Sequence, residues 1–145
     1  MKTLIVYDSA FGNTEKIARA IGGAMTGEVR VARVGEVNQN DLKGIELLII
    51  GSPTQAGTAT AAIKGFIDGM PKGSLKGISV SAFDTRISGR FASLLGYAAG
   101  RMARRLKRKG ASLVLTEGFI VNGREGPLKE GELERAAAWA KQVAK

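Results

Sequence analysis

The chain has no cysteine and no histidine among its 145 residues. Without cysteine there is no disulfide, thiol redox centre, iron–sulfur cluster or cysteinyl zinc site. Without histidine the commonest general base and the commonest metal ligand are both missing. Redox work would need a bound organic cofactor, and hydrolysis would rest on carboxylates alone. Aromatic residues are sparse at 6%, and there are three prolines. No apolar run approaches the ~20 residues of a membrane span. The opening MKTLIVYDSAFG places Lys2 before an apolar stretch, but that stretch ends at Tyr7 and Asp8, too short for a signal-peptide core. The expectation is a soluble, cytoplasmic protein.

What is present is ordinary for a globular chain: 44% hydrophobic and 24% charged residues, enough to bury a real core in one domain spanning 1–145. The charge is less ordinary, with 22 Lys and Arg against 13 Asp and Glu, a net +9. Much of the excess lies in RMARRLKRKG (101–110). On a helix Arg101, Arg104, Arg105 and Arg108 share one face, opposite Met102 and Leu106. Such a face is either a solvated surface suited to a helix C-terminus or a dock for an acidic protein, a membrane surface or nucleic acid. No aromatic interleaving or binding-fold signature supports nucleic acid.

Apolar patterns alternate between two periods. LIVY (4–7) and ELLIIGSP (46–53) read as strands buried on both faces, and VRVARV (29–34) alternates like a strand nearer an edge. GISVSAF (77–83) is a fourth strand. ASLVLTEGFIV (111–121) is a fifth, with Gly118 marking a point where it could break. Helical spacing links Ile17, Ile21, Ala24 and Met25, then Ile63, Phe66, Ile67 and Met70, stopped by Gly69 and Pro71. Phe91, Leu95, Ala98, Met102 and Leu106 stripe a third helix ending at Gly110. Leu133, Ala137, Ala140 and Val143 place a last helix after Gly131. The link between 38 and 44 has room only for a short helix. This order predicts an α/β fold of three layers, a doubly wound parallel sheet covered by helices on both faces.

Ligands of such sheets sit beyond the carboxyl ends of the strands. DSAFGNT, GSPTQAGTAT and SAFDTRISG leave strands one, three and four with small and hydroxylic residues, and would converge on one rim. The first loop suits a phosphate. Unpaired N–H groups at a helix start attract an anion, Gly12 permits a tight loop, and Ser9, Asn13 and Thr14 can donate hydrogen bonds. The alternative is a plain helix start capped by Asn13 or Thr14. There is neither a Walker A motif nor a Gly-x-Gly-x-x-Gly turn.

YDSAFGNTEKIARAI resembles the phosphate-binding signature of the flavodoxin family, roughly Ser/Thr-x-Thr-Gly-x-Thr, matching at 9, 12 and 14 with Phe11 at the middle Thr. GSPTQAG resembles that family's second flavin loop, and the order of elements and the length fit a short-chain, flavodoxin-like member. The resemblance implies five strands in the order 2-1-3-4-5 and FMN held without a covalent bond. Ser9, Gly12, Asn13 and Thr14, with the backbone of Ala10 and Phe11, would wrap the phosphate. Pro53, Thr54, Gln55, Ala56 and Gly57 would line one side of the flavin, with the Gly57 peptide near N5. The 83–89 loop, with Phe83, Asp84, Thr85 and Arg86, would cover the other side.

Flavodoxins usually stack a Tyr or Trp on the ring, and these loops hold neither. Phe83 or Phe91 could take that place, although both lie on apolar stripes that suit a core. Asp84 and Arg86 could bond the ring edge or pair with each other. Flavodoxins that carry electrons are also typically acidic, unlike this chain.

Three functions remain open. The first is an FMN electron carrier working between redox protein partners, acidic ones docking on the arginine face of 101–108. The second is a small FMN-dependent NAD(P)H reductase of quinones or similar acceptors. The third is a binding or regulatory module of the same shape with weak or no flavin binding. No catalytic residue and no metal ligand set is expected. A response-regulator receiver needs an acidic pair after strand one and an Asp after strand three, where this chain has Asp8 alone and Gly51-Ser52-Pro53.

Overall fold

The computed structural model describes residues 1–88 and 96–145. Five strands, β1 (Lys2–Tyr7), β2 (Glu28–Arg33), β3 (Leu47–Pro53), β4 (Ser79–Ile87) and β5 (Val114–Val121), form one parallel sheet in the order β2-β1-β3-β4-β5. The helices among the described residues are α1 (Asn13–Gly23), α2 (Ala61–Asp68), α3 (Ala98–Arg108) and α4 (Glu132–Val143). The 38–44 link holds one short 3-10 turn, Gln39–Leu42. This is the doubly wound α/β architecture that the alternation of periods predicts.

Strand alternation divides the core in two. Leu4, Val6, Leu48 and Ile50 face α2 and α3, packing with Ile63, Ile67, Met102 and Leu106. Ile5, Tyr7, Leu47 and Ile49 face α1 and α4, packing with Ile17, Ile21, Ala136 and Trp139. A sheet covered on both faces explains why β1 and β3 are apolar at successive positions. Each of these isoleucines and leucines contributes about 1.5–3 kcal/mol by leaving water. The edge strand β2 alternates between exposed and partly buried positions from Glu28 to Val31, as its sequence pattern predicts, and then buries Ala32.

One boundary differs. The sequence ends strand four at 83 and treats 83–89 as a loop, but β4 continues to Ile87. Residues 84–87 pair with Gly118 to Val121 of β5, and Asp84 and Thr85 also pair with Ser52 and Pro53 of β3. A strand flanked on both sides keeps its ladder even where its residues turn polar. β5 likewise runs unbroken through Gly118. Phe91 and Leu95 of the third helical stripe, and Gly89 of the third loop, lie outside the described residues.

Candidate functional site

β1 delivers the chain into residues 8–12, and α1 begins immediately afterwards. Gly12 occupies the position before the helix with φ +91, in the left-handed region that favours glycine. Asn13 and Thr14 are therefore helical and cap nothing with their side chains, which corrects the capping alternative. Ser9 organises the turn instead: its Oγ accepts from the Gly12 N–H at 3.0 Å and the Glu15 N–H at 3.4 Å. Ser9 thus keeps its own hydroxyl hydrogen to donate. The Asn13 and Thr14 amides, the first two of the helix, donate to no acceptor among the described residues. They are the donors that a helix start leaves for an anion.

Charged neighbours brace the loop from behind. Arg33 Nη1 donates to Asp8 Oδ1 at 3.3 Å and to the Ser9 carbonyl at 3.1 Å. The Arg19 guanidinium, 2.8 Å from Glu15, holds that carboxyl below its ordinary pKa. Tyr7 is pushed upward, first by burial and then by the Glu15 charge. Asp8 and Glu15 are thus both matched by arginines and leave the loop without an unpaired carboxylate.

In front of the loop, across the carboxyl ends of β1, β3, β4 and β5, opens a cleft of about 510 Å³. Its walls bring together Ser9, Ala10, Phe11, Asn13 and Thr14 from the first loop and Pro53, Thr54, Gln55 and Ala56 from the second. Thr85 and Arg86 come from the end of β4. Buried Thr14 and Thr85 share a hydrogen bond, Oγ1 to Oγ1 at 2.8 Å, which ties α1 to β4. One hydroxyl hydrogen of that pair remains available to a ligand. Asn13 lines the cleft while its Nδ2 donates to the Glu125 carbonyl at 3.1 Å.

The second loop folds back as a two-residue turn. Gln55 and Thr58 exchange backbone hydrogen bonds of 2.8 and 3.1 Å. Ala56 and Gly57 both have positive φ, +50 and +82. Gln55 and Ala56 face the cleft, and Gly57 is buried behind them.

Phe83, Asp84 and Gly57, expected beside the flavin, are not walls of the cleft. Phe83 is fully buried and cannot face a flavin. Its ring stands edge-on to Phe119 and Trp139, with centroids 6.0 and 6.2 Å away, because its strand position points into the α1/α4 core. Asp84 is also fully buried, on the opposite face of β4. Its carboxylate accepts from Arg86 Nε at 2.7 Å and Nη2 at 2.8 Å, and from the Ala99 N–H at 2.8 Å. Asp84 and Arg86 therefore pair with each other, the second of the two arrangements the sequence allows. Arg86 also lies over the Tyr97 ring at 3.6 Å.

Three wall residues, Ile87, Val121 and Arg124, are not among the site residues that the sequence singles out, although Ile87 falls within its 83–89 loop. Ile87 is hidden by placing the end of β4 too early. Val121 and Arg124 follow from the position of β5 beside β4, which carries a fourth loop to the rim. The rule that ligands sit beyond the carboxyl ends of strands would have flagged that loop.

These residues fit a phosphate-bearing flavin. Unpartnered amides and hydroxyl hydrogens gather at one end of the cleft, and Phe11, Pro53, Ala56, Ile87 and Val121 supply apolar wall for a ring. Phe11 and Ile87 are about half exposed. The volume is ordinary for a small-molecule site.

Known proteins agree with this picture. A flavodoxin of Aquifex aeolicus is 31% identical over 126 residues, covering 84% of this chain, and the chain spans 64% of that relative's length. Among solved structures, oxidised flavodoxin 2 of Bacillus cereus superposes with a TM-score of 0.78 at 24% identity, covering 99% of this chain and 98% of the other. Two-electron reduced flavodoxin of Megasphaera elsdenii gives 0.73 at 25% identity, covering 97% and 98%. The flavodoxin family model matches residues 5–139, and the chain belongs to the flavodoxin family.

Proposed function

We propose that this protein holds FMN in the cleft and carries electrons between protein partners. The observation that carries the reading is the loop at residues 9–14, where two unpartnered helix amides and the Ser9 hydroxyl meet an apolar-walled cleft. Bound FMN would supply the electron chemistry. The chain's own residues would anchor the phosphate through Ser9, Asn13 and Thr14, orient the ring between the 53–57 turn and the end of β4, and keep water from it.

The test is a titration of the apo-protein into FMN, followed by quenching of flavin fluorescence, with riboflavin in parallel. Tight quenching by FMN and much weaker quenching by riboflavin is the expected result. Equal affinities would overturn the phosphate assignment, and no binding would overturn the cofactor assignment.

The proposal extends to the partners. Arg101 and Arg104 lie on successive turns of α3, beside Arg86 and Tyr97 in a shallow depression next to the flavin cleft. An acidic partner docking there would bring its redox centre near the ring, and the net +9 would steer it in. Arg108 lies one helical turn beyond Arg104, and Arg105 donates to both Asp68 oxygens at 2.6–2.8 Å, fastening α3 to α2. Of the four arginines, the first two carry the docking role. No described helix is long and apolar enough to cross a membrane. The cytoplasm is the proposed location, as read from the sequence.

A further inference from the structure

Resting on the FMN reading, we propose that Arg124 is the charged grip on the phosphate and sets the preference for FMN over flavins that lack one. No cation stands in the loop Ser9 to Thr14, so its amides and hydroxyls face a phosphate dianion with dipoles alone. Arg124 comes from the far side, on the loop after β5, and lines the same cleft as Ser9, Asn13 and Thr14.

That loop holds Arg124 in place. The Asn122 N–H donates to the Pro127 carbonyl at 2.8 Å and the Gly126 N–H to the Gly123 carbonyl at 3.1 Å, closing a tight turn. The Glu125 carbonyl accepts from Asn13 Nδ2. Gly126 packs so closely that a Cβ there would meet Asn13 Nδ2 at 2.8 Å. The residue after Arg124 thus touches the first residue of the phosphate-facing helix. Glu125 contributes its carbonyl to this contact, and its carboxylate is not a wall of the cleft.

The guanidinium of Arg124 has no acceptor among the described residues. The carboxylates that flank the first loop, Asp8 and Glu15, are held by Arg33 and by Arg19 and Arg33. An unspent guanidinium on the wall of a cleft rich in anion donors, with its five N–H groups, matches a phosphate in charge and geometry.

The experiment compares FMN and riboflavin binding by wild type, Arg124→Gln, Arg124→Lys and Lys16→Gln, at low and high salt. Lys16 is an exposed cation on the first turn of α1 outside the cleft walls, and controls for the general field. Arg124→Gln should weaken FMN about tenfold at low salt and leave riboflavin unchanged, with the difference shrinking at high salt. Arg124→Lys should recover part of the loss, and Lys16→Gln should change little. Equal loss for both flavins would make Arg124 a structural or ring contact and overturn the proposal. So would no loss, or an equal effect of Lys16→Gln. A wild type that binds FMN no better than riboflavin would overturn the phosphate reading beneath it, a distinct result. Circular dichroism of each variant separates a binding loss from a folding loss.

Discussion

Arg86 occupies the space that a side chain at Gly118 would need. A Cβ on Gly118 would overlap the guanidinium, which lies across β5 between Asp84 and Tyr97. Gly118 lacks a positive φ, so its glycine is required by this close approach and not by backbone strain. Gly118→Ala should push Arg86 off Asp84 and leave a fully buried carboxylate short of its cation. The expected cost is about 2–3 kcal/mol, since breaking a buried pair from one side leaves an uncompensated charge. Urea unfolding would measure it. A loss below about 0.5 kcal/mol would mean that Arg86 finds an equally good seat elsewhere.

The buried Thr14–Thr85 pair joins the phosphate loop to β4, so removing one hydroxyl should be felt in both stability and binding. Thr14→Val keeps the shape and removes the hydroxyl, leaving Thr85 without its partner. Stability should fall by about 1 kcal/mol. FMN should bind severalfold more weakly, while riboflavin changes little. A parallel loss for both flavins would assign Thr14 to the ring end of the cleft.

The elements read most accurately from the sequence are those that local chemistry decides. The double-sided apolar runs 4–7 and 46–53, the stop at Gly69 and the helix start after Gly131 reappear within a residue or two in β1, β3, α2 and α4. Tertiary context decided the rest. DTRI (84–87) looks like a loop because it is polar, yet it is strand because β5 pairs with all of it and β3 with Asp84 and Thr85, and Asp84 finds Arg86 and the Ala99 amide in the interior. Phe83 looked available to a flavin until pairing fixed which face it points to. Arg124 carried no local signal, because only the adjacency of β5 to β4 brings its loop to the rim. Ser9, Asn13 and Thr14 reach the cleft wall because they sit where the chain leaves β1 for α1, at the carboxyl end of a strand.

Glu132 gives the fold a predictable acid sensitivity. It is buried, and its carboxylate accepts from Arg135 Nε at 2.9 Å and from the Ile120 N–H at 2.7 Å. The Arg135 guanidinium first, and the Ile120 amide with it, hold its pKa below the ordinary carboxylate value. A carboxyl whose folded pKa is depressed contributes stability above its unfolded pKa and loses it as pH falls through the folded one. Glu132→Gln should therefore be less stable than wild type at pH 7, and the gap should narrow as acid protonates the wild-type carboxyl. Urea midpoints at pH 7 and pH 3 test this. A gap that stays constant with pH would show that packing, not charge, makes the contribution.

Arg104 offers the cleanest test of partner docking, because Arg105 is committed to Asp68 and its loss would loosen α3 from α2. Arg104 is exposed on the depression beside the flavin cleft, so reversing its charge should leave the fold and FMN binding intact. Arg104→Glu should slow electron transfer to an acidic redox protein severalfold at low ionic strength. The effect should fade as salt shortens the Debye length from about 30 Å at 0.01 M to about 8 Å at 0.15 M. Arg108→Glu makes the same change in net charge about one helical turn further along α3, outside the depression beside the cleft. If net charge alone steers the partner, both variants slow transfer equally. If the partner seats beside the ring, Arg104→Glu has the larger effect, and stopped-flow rates at several salt concentrations separate the two. Equal slowing would reduce the arginine face to a long-range field, and no slowing in either would leave it a solvated surface.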